Sequence, residues 1–186
     1  PATSESVTGF GKSHLFALAV VEESGAIINA NHAHPHTIRH KGRIDLVTET
    51  DIAVEAFLKE RLATLAPQAG FLAEESAEDL SLPDTCWIID PVDGTTNFAH
   101  GLPLTVTSVA YRLNGEIVLG IVNAPLLREC FIAEKGKGAW RNGERISVSS
   151  VTACENALIA TGFPYEIASR VDEILERLRP VPSPCQ

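Results

Sequence analysis

Two Asn-Gly pairs, Asn114-Gly115 and Asn142-Gly143, stand between runs of alternating character, and they constrain the fold more than any other feature. Asn-Gly enters the left-handed backbone of a tight hairpin turn at little cost. Before the first pair, Val106, Ser108 and Ala110 alternate with Thr107, Val109 and Tyr111, and Ile117 to Val122 returns after it. Glu129 to Ala133, a turn at Lys135 to Gly138, Ala139-Trp140 and then Ile146 to Val148 extend the meander. A mostly antiparallel sheet is the expectation, with the helices encoded earlier covering one face.

Those helices are predicted over Leu15 to Ile28 and from the Thr48-Glu49-Thr50-Asp51 cap region to about Leu65. In the second, Ile52, Ala53, Ala56, Phe57, Glu60 and Leu65 suggest the inward side, with Glu55, Lys59 and Arg61 on the wet side. Pro67 ends it, Gly70 opens a short strand over Phe71 to Glu74, and the acidic stretch Glu75 to Asp84 reads as surface. Cys86-Trp87-Ile88-Ile89 is an apolar strand expected to stop at Asp90-Pro91, since neither residue suits a strand interior. Ala157 to Ala160 reads as a further strand and Tyr165 to Leu178 as a helix, before a proline-rich end at Arg179 to Pro184. The fold class is α+β, with residues 1–150 as one domain and 151–186 as the start of another.

Composition narrows the function. A formal charge of −9 argues against a nucleic-acid surface and means that a phosphorylated ligand needs local cations or backbone N–H groups. Cys86, Cys130, Cys154 and Cys185 form no CxxC pair and read as separate thiols of a reducing, cytoplasmic setting. No run reaches the roughly 18 to 20 apolar residues that span a bilayer. With Pro1 first and no Met anywhere, the chain reads as processed or as a portion of a longer product.

Asp90 and Asp93, three apart beyond a buried strand, can be brought to one locus if the chain bends between them. Like charges held together in a poorly hydrated cleft are unfavourable unless a cation joins them, and oxygen ligands suit Mg²⁺ or Mn²⁺. The alternative is a solvated Asp-Pro turn. Gly94 next to them permits close backbone approach, and Thr95-Thr96-Asn97 can open a short helix whose N–H groups hold a phosphate. Glu74 and Glu75 end the preceding strand, and only one can face the site.

Glu74-Glu75-Ser76, then Trp87-Ile88-Ile89-Asp90-Pro91-Val92-Asp93-Gly94-Thr95-Thr96-Asn97-Phe98, resembles the signature of the inositol monophosphatase family of lithium-sensitive, magnesium-dependent phosphatases. Lys41-Gly42 with Asp45-Leu46-Val47-Thr48-Glu49-Thr50-Asp51 is similar to its N-terminal motif, and Gly136 to Gly143 to its sheet turn. Ala160-Thr161-Gly162-Phe163-Pro164-Tyr165 resembles bacterial members. The resemblance implies a layered α/β/α/β/α sandwich and a homodimer. It also implies hydrolysis of a small phosphorylated metabolite, inositol 1-phosphate first, by in-line attack of metal-activated water. Fructose 1,6-bisphosphate, histidinol phosphate and 3'-phosphoadenosine 5'-phosphate are the substrates of related members. Glu74, Asp90, the Val92 carbonyl and Asp93 would hold Mg²⁺ or Mn²⁺. Thr95, paired with Asp45 and helped by Glu74, would activate water; Asp93 and the N–H groups of Gly94 and Thr95 would face the substrate. Glu49, Asp51 and Glu75 take supporting or structural roles.

One departure is large. Family members continue for roughly another third, with a Trp-Asp motif that adds a metal ligand, and no such motif follows Gly162. The C-terminal layers are therefore expected to be missing, along with most of the specificity pocket. Two other classes compete: a glycosidase using Glu74 with Asp90 or Asp93, which leaves Gly94-Thr95-Thr96 unexplained, and an inactive phosphate-binding homologue. Gly9 to Ser13 imitates a P-loop without its first glycine or a strand ahead of it. His32, His34, His36 and His40 read as an exposed loop rather than a transition-metal site, and His14 as surface.

Overall fold

Seven strands lie side by side in the order β3-β4-β5-β6-β7-β8-β9. They are β3 (Gly70–Ala73), β4 (Cys86–Asp93), β5 (Val106–Leu113), β6 (Glu116–Ala124), β7 (Glu129–Glu134), β8 (Gly138–Arg141) and β9 (Glu144–Ile146). This is a computed structural model, and it describes residues 11–32, 39–40, 46–47, 49–75, 82–160 and 170–178. Only β3 and β4 are parallel; every later neighbour is antiparallel, with residues 94–105 between β4 and β5 and short turns between the strands from β5 onward. Asn114 and Asn142 hold φ of 51° and 50° and are each followed by a glycine of positive φ, as the two Asn-Gly pairs require. Chain contacts divide the protein into two units, Pro1–Ser147 and Val148–Gln186.

Within the first unit, α1 (Lys12–Asn31) and α2 (Glu49–Ala63) cover one face of the sheet. Helix α1 buries Ala17, Leu18, Val20, Val21, Ser24, Gly25 and Ile28, the stripe that a 3.6-residue period produces. Gly25 lets this helix approach the end of β6, because a Cβ there would stand 2.8 Å from both Asn123 Nδ2 and Pro125 Cβ. Asn123, 5% exposed, returns the approach by donating to the Val21 carbonyl at 3.1 Å. From the sheet, Trp87, Ile89, Val109, Leu119, Ile121, Ile132 and Trp140 complete the core. Every second residue of a strand faces the same way, so this set is the period-two face.

Several expectations change. Helix α2 buries Val54, Glu55, Leu58 and Leu62 and leaves Ile52 47% exposed, so its inward side is rotated from the predicted one. Glu55 tolerates burial because it accepts the Glu75 N–H at 2.8 Å and lies 3.9 Å from Lys59. His14 is not simply surface: its Nδ1 lies 2.8 Å from Glu134 Oε2, with its side chain 21% exposed. Burial pushes the Glu134 carboxyl up, but its bonds to Lys137 and His14 outweigh this and hold it below the ordinary value. Strand β9 ends at Ile146, short of Val148.

Within the region expected to be loop, Arg39–His40 (β1) pairs antiparallel with Leu46–Val47 (β2). His34, His36, Asp45 and Thr48 lie outside the described residues. In the second unit, residues 157–160 form no ladder, and Leu158 is 86% exposed. An apolar run becomes a strand only where another strand offers it hydrogen bonds. A 3₁₀ turn at Cys154–Asn156 precedes this run, and α4 (Val171–Leu178) is the described part of the last predicted helix.

Candidate active site

Asp90 and Asp93 sit inside β4 rather than beyond it, which corrects the predicted strand end. Asp90 pairs with Ser108 and Asp93 with Val106, so Pro91 and Val92 together oppose only Thr107. This is a two-against-one bulge. In a regular strand, residues three apart point to opposite faces; the one extra residue cancels that parity and sets both carboxylates on the side of Ser108 and Val106. Pro91 is tolerated here because the irregular ladder asks for one N–H fewer.

Gly94 then turns the chain with φ 91°, and the short helix α3 (Thr95–Ala99) begins. No other residue fits: a Cβ at Gly94 would lie 2.7 Å from the Leu104 carbonyl. Thr105, 1% exposed, donates to the Gly94 carbonyl at 3.4 Å, and Asn97 Nδ2 donates to the Leu104 carbonyl at 2.8 Å. The turn is thus held from the two residues that lead into β5. Thr95 Oγ1 lies 2.9 Å from the Val92 carbonyl and 3.2 Å from Asp51 Oδ1. Its one proton serves one of the two at a time.

Glu74 directly follows β3, and its N–H donates to the Ile89 carbonyl at 3.1 Å, which fixes it beside the end of β4. The electrostatic consequence falls on Asp90. Burial first, then the Glu74 charge and a hydrogen bond with Glu74, then Asp93 and Asp51, raise its carboxyl from 3.8 to about 7. Asp90 Oδ1 is buried without a hydrogen-bond partner. Glu74 and Asp93 are exposed, Asp90 and Thr95 half-buried.

These residues fit a divalent cation. An orphaned carboxylate oxygen, pressed by three further carboxylates and next to a strand carbonyl, is an oxygen-donor set that a hard cation would relieve. Among the described residues, no three His, Cys, Asp or Glu side chains are already gathered tightly enough to hold an ion. The charges are close enough to act on one another without forming a finished cage. A cavity of about 450 Å³ between Glu22, Asn29, Asn123 and Arg128 holds none of these groups.

Sequence reasoning passed over Asp51 as the Thr95 partner; Asp45, which had that part, lies outside the described residues. Asp51 is 1% exposed and belongs to the first turn of α2, where the helix dipole favours a negative charge. A signal existed: 51, 54, 55, 58 and 62 form one helical stripe, and a carboxylate on a stripe of Val54, Leu58 and Leu62 must be buried for a reason. Cys86 and Cys130 are buried free thiols, as expected, and Cys154 is exposed. Burial, with some help from Glu22, pushes the Cys130 thiol up to about 12, so it is inert.

A sequence profile described as the inositol monophosphatase family matches residues 13–183, and the chain belongs to that family. It is 43% identical over 163 residues to an inositol monophosphatase of Dictyostelium discoideum, covering 86% of this chain and 60% of the relative. It is 36% identical over 163 residues to a fructose-1,6-bisphosphatase/inositol-1-monophosphatase of Thermotoga maritima, covering 87% and 63%. Among solved structures, the extragenic suppressor protein suhB from Bartonella henselae superposes with a TM-score of 0.83 at 32% identity, over 92% of this chain and 66% of that one. The chain therefore spans about three fifths of the length of these curated relatives. Helices over a largely antiparallel, open sheet are the part of the layered family fold that the sequence led us to expect. Among the described residues, no helix is long and apolar enough to cross a membrane.

Proposed function

We propose that the protein carrying this chain hydrolyses a small phosphate monoester with the help of Mg²⁺, with inositol 1-phosphate as the first candidate. The observation that carries this reading is the β4 bulge, which brings Asp90 and Asp93 to one side next to Glu74, where burial and then the Glu74 charge raise the Asp90 carboxyl to about 7. Glu74, Asp90, the Val92 carbonyl and Asp93 would hold the cation, for which Mn²⁺ is an alternative. When bound, such a cation polarises the phosphate ester and makes a nearby water more acidic.

The remaining work belongs to the chain. Thr95 shares its proton between the Val92 carbonyl and Asp51. Turned toward Asp51, the Thr95 hydroxyl would pass that proton to Asp51 Oδ1 as it takes one from the attacking water, leaving hydroxide as the nucleophile and a neutral carboxyl on Asp51. Asp51 would act in this alongside Asp45, the Thr95 partner that the family resemblance implies, with Glu74 as a further acceptor. The N–H groups of Gly94 and Thr95, at the start of α3, would hold phosphoryl oxygens, and Asp93 would face the substrate. No phospho-enzyme is invoked: in this reading water, not a side chain, is the nucleophile. A homodimer in a cytoplasmic setting belongs to the same reading and rests on the family.

Phosphate release from the full-length protein tests the proposal, using inositol 1-phosphate, fructose 1,6-bisphosphate, histidinol phosphate and 3'-phosphoadenosine 5'-phosphate with Mg²⁺ or EDTA. Release that needs Mg²⁺ and is fastest with inositol 1-phosphate is expected. Faster release from fructose 1,6-bisphosphate would shift the substrate toward the bisphosphatase activity in the Thermotoga maritima relative's name. No release from any of them points to a phosphate-binding homologue, and release that survives EDTA sinks the metal-assisted mechanism.

A further inference from the structure

Thr107 is the single residue that opposes the bulge, facing Pro91 and Val92 together. A ladder with two residues against one cannot bond both in the regular way, and Pro91 has no N–H to contribute. The Pro91 carbonyl, on a buried residue, still needs a donor. Thr107 supplies it: its Oγ1 donates to the Pro91 carbonyl at 2.9 Å, and the residue is 0% exposed.

For packing alone, valine would suit this position. Val109, two residues on along the same face, is 1% exposed, and a buried hydroxyl brings a desolvation cost that valine avoids. The hydroxyl therefore has its use in the bond to Pro91. That bond reaches the middle of the Asp90-to-Asp93 segment from the core side, while Thr95 reaches the next carbonyl, that of Val92, from the helix side. Both bulge residues, Pro91 and Val92, are held through their carbonyls by threonine hydroxyls. The two differ in one respect: Thr95 has Asp51 as a second acceptor, so the Val92 carbonyl can be released, whereas among the described residues the Thr107 hydroxyl donates to the Pro91 carbonyl alone. Thr107 is itself well seated, paired across the ladder with Asn123, whose amide donates to the Val21 carbonyl of α1.

We infer that Thr107 is a positioning residue for the cation site: by holding the Pro91 carbonyl from within the core, it sets the bulge that carries Asp90, the Val92 carbonyl and Asp93 to one side. The inference rests on the reading that these three groups are cation ligands. Thr107 touches neither cation nor substrate in it, and acts through the backbone.

The test titrates Mg²⁺, and separately Mn²⁺, into the full-length protein by calorimetry, for wild type, Thr107→Val and Thr107→Ser, with thermal unfolding in EDTA to verify the fold. Thr107→Val keeps the branching and volume and removes the donor. Its cation dissociation constant is expected to rise about tenfold, the lower end of what losing a group that orients metal ligands brings. Thr107→Ser, which keeps the hydroxyl, is expected to recover most of that affinity, and kcat at saturating Mg²⁺ should move less than the affinity does. If the valine variant does not fold, Thr107→Ser and Thr107→Ala, which differ by the hydroxyl alone, make the same comparison. Equal cation affinity with and without the hydroxyl overturns the inference and leaves the cation site standing. A wild-type protein that binds neither ion overturns the underlying reading, and this inference with it.

Discussion

From Cys86 to Ile89, β4 runs residue for residue against Arg112 to Val109 of β5, whereas from Asp90 to Asp93 it carries one residue more than its partner. The first half is apolar: Trp87 and Ile89 are each 2% exposed, and the Trp87 and Tyr111 rings stand 4.4 Å apart. The second half breaks the ladder, places carboxylates within reach of each other and leaves Asp90 Oδ1 buried without a partner. Regular pairing with an apolar face is what stability asks of a strand. Unrelieved like charge at a bulge is what stability alone would remove, and such sites are where function is found. The contrast teaches that one strand can be half scaffold and half site, with the boundary at a single extra residue.

Four substitutions test whether the halves separate in this way. Asp93→Asn should have the largest effect, cutting Mg²⁺-dependent phosphate release by about a thousandfold, since cation assistance contributes several kcal/mol to the barrier. Because Asp93 is exposed, urea denaturation should move by no more than about 0.5 kcal/mol. A large loss of stability together with activity would erase the distinction. Ile89→Ala should do the reverse, destabilising the fold by about 2–5 kcal/mol in the same denaturation experiment. Its kcat per folded molecule should change little.

Gly94→Ala lies on the boundary and should damage both properties. With φ at 91° and the new Cβ 2.7 Å from the Leu104 carbonyl, a cost of about 2 kcal/mol in thermal unfolding is expected, along with a weakened KM for the phosphate ester. Wild-type stability in this variant would mean that the turn is looser than its geometry implies.

Asp90→Asn sharpens the comparison most finely, because activity and stability should move in opposite directions. A carboxyl whose folded value is raised from 3.8 to about 7 makes its charged form costly. That cost is absent below the ordinary carboxylate value and grows as pH rises toward 7. In EDTA near pH 8 the variant should therefore be more stable than wild type by about 1 kcal/mol, after discounting for solvent screening at a half-buried group. The advantage should vanish below about pH 4 in unfolding curves. A variant less stable at both pH values would show that Asp90 is not under strain.

Much of the fold was legible because its signals are local. Asn114-Gly115 and Asn142-Gly143 mark turns whatever surrounds them, and the alternation on either side of the first needs no partner to be recognised. Legibility failed where a distant group decided. Glu55 reads as a wet helix residue until the Glu75 N–H arrives to be accepted, and 157–160 reads as a strand although no ladder forms there. Asp90-Pro91 reads as a strand end, because a proline inside a strand is admissible only if the opposite strand is one residue short, and that is a property of β5.

Residue types and their order by themselves determined that a mainly antiparallel sheet would form and that Asp90, Asp93, Gly94 and Thr95 were groups to watch, since hairpin chemistry and charge are written into each residue; the choice of Glu74 over Glu75 came from the family resemblance. Tertiary structure alone decided that Asp90 and Asp93 share a side, that Thr95 meets Asp51, and that Thr107 holds the Pro91 carbonyl. Each of these depends on which segment is laid against which. A sequence specifies hydrogen-bonding groups one residue at a time, but a bulge is a difference in count between two strands, and it exists only once they are paired.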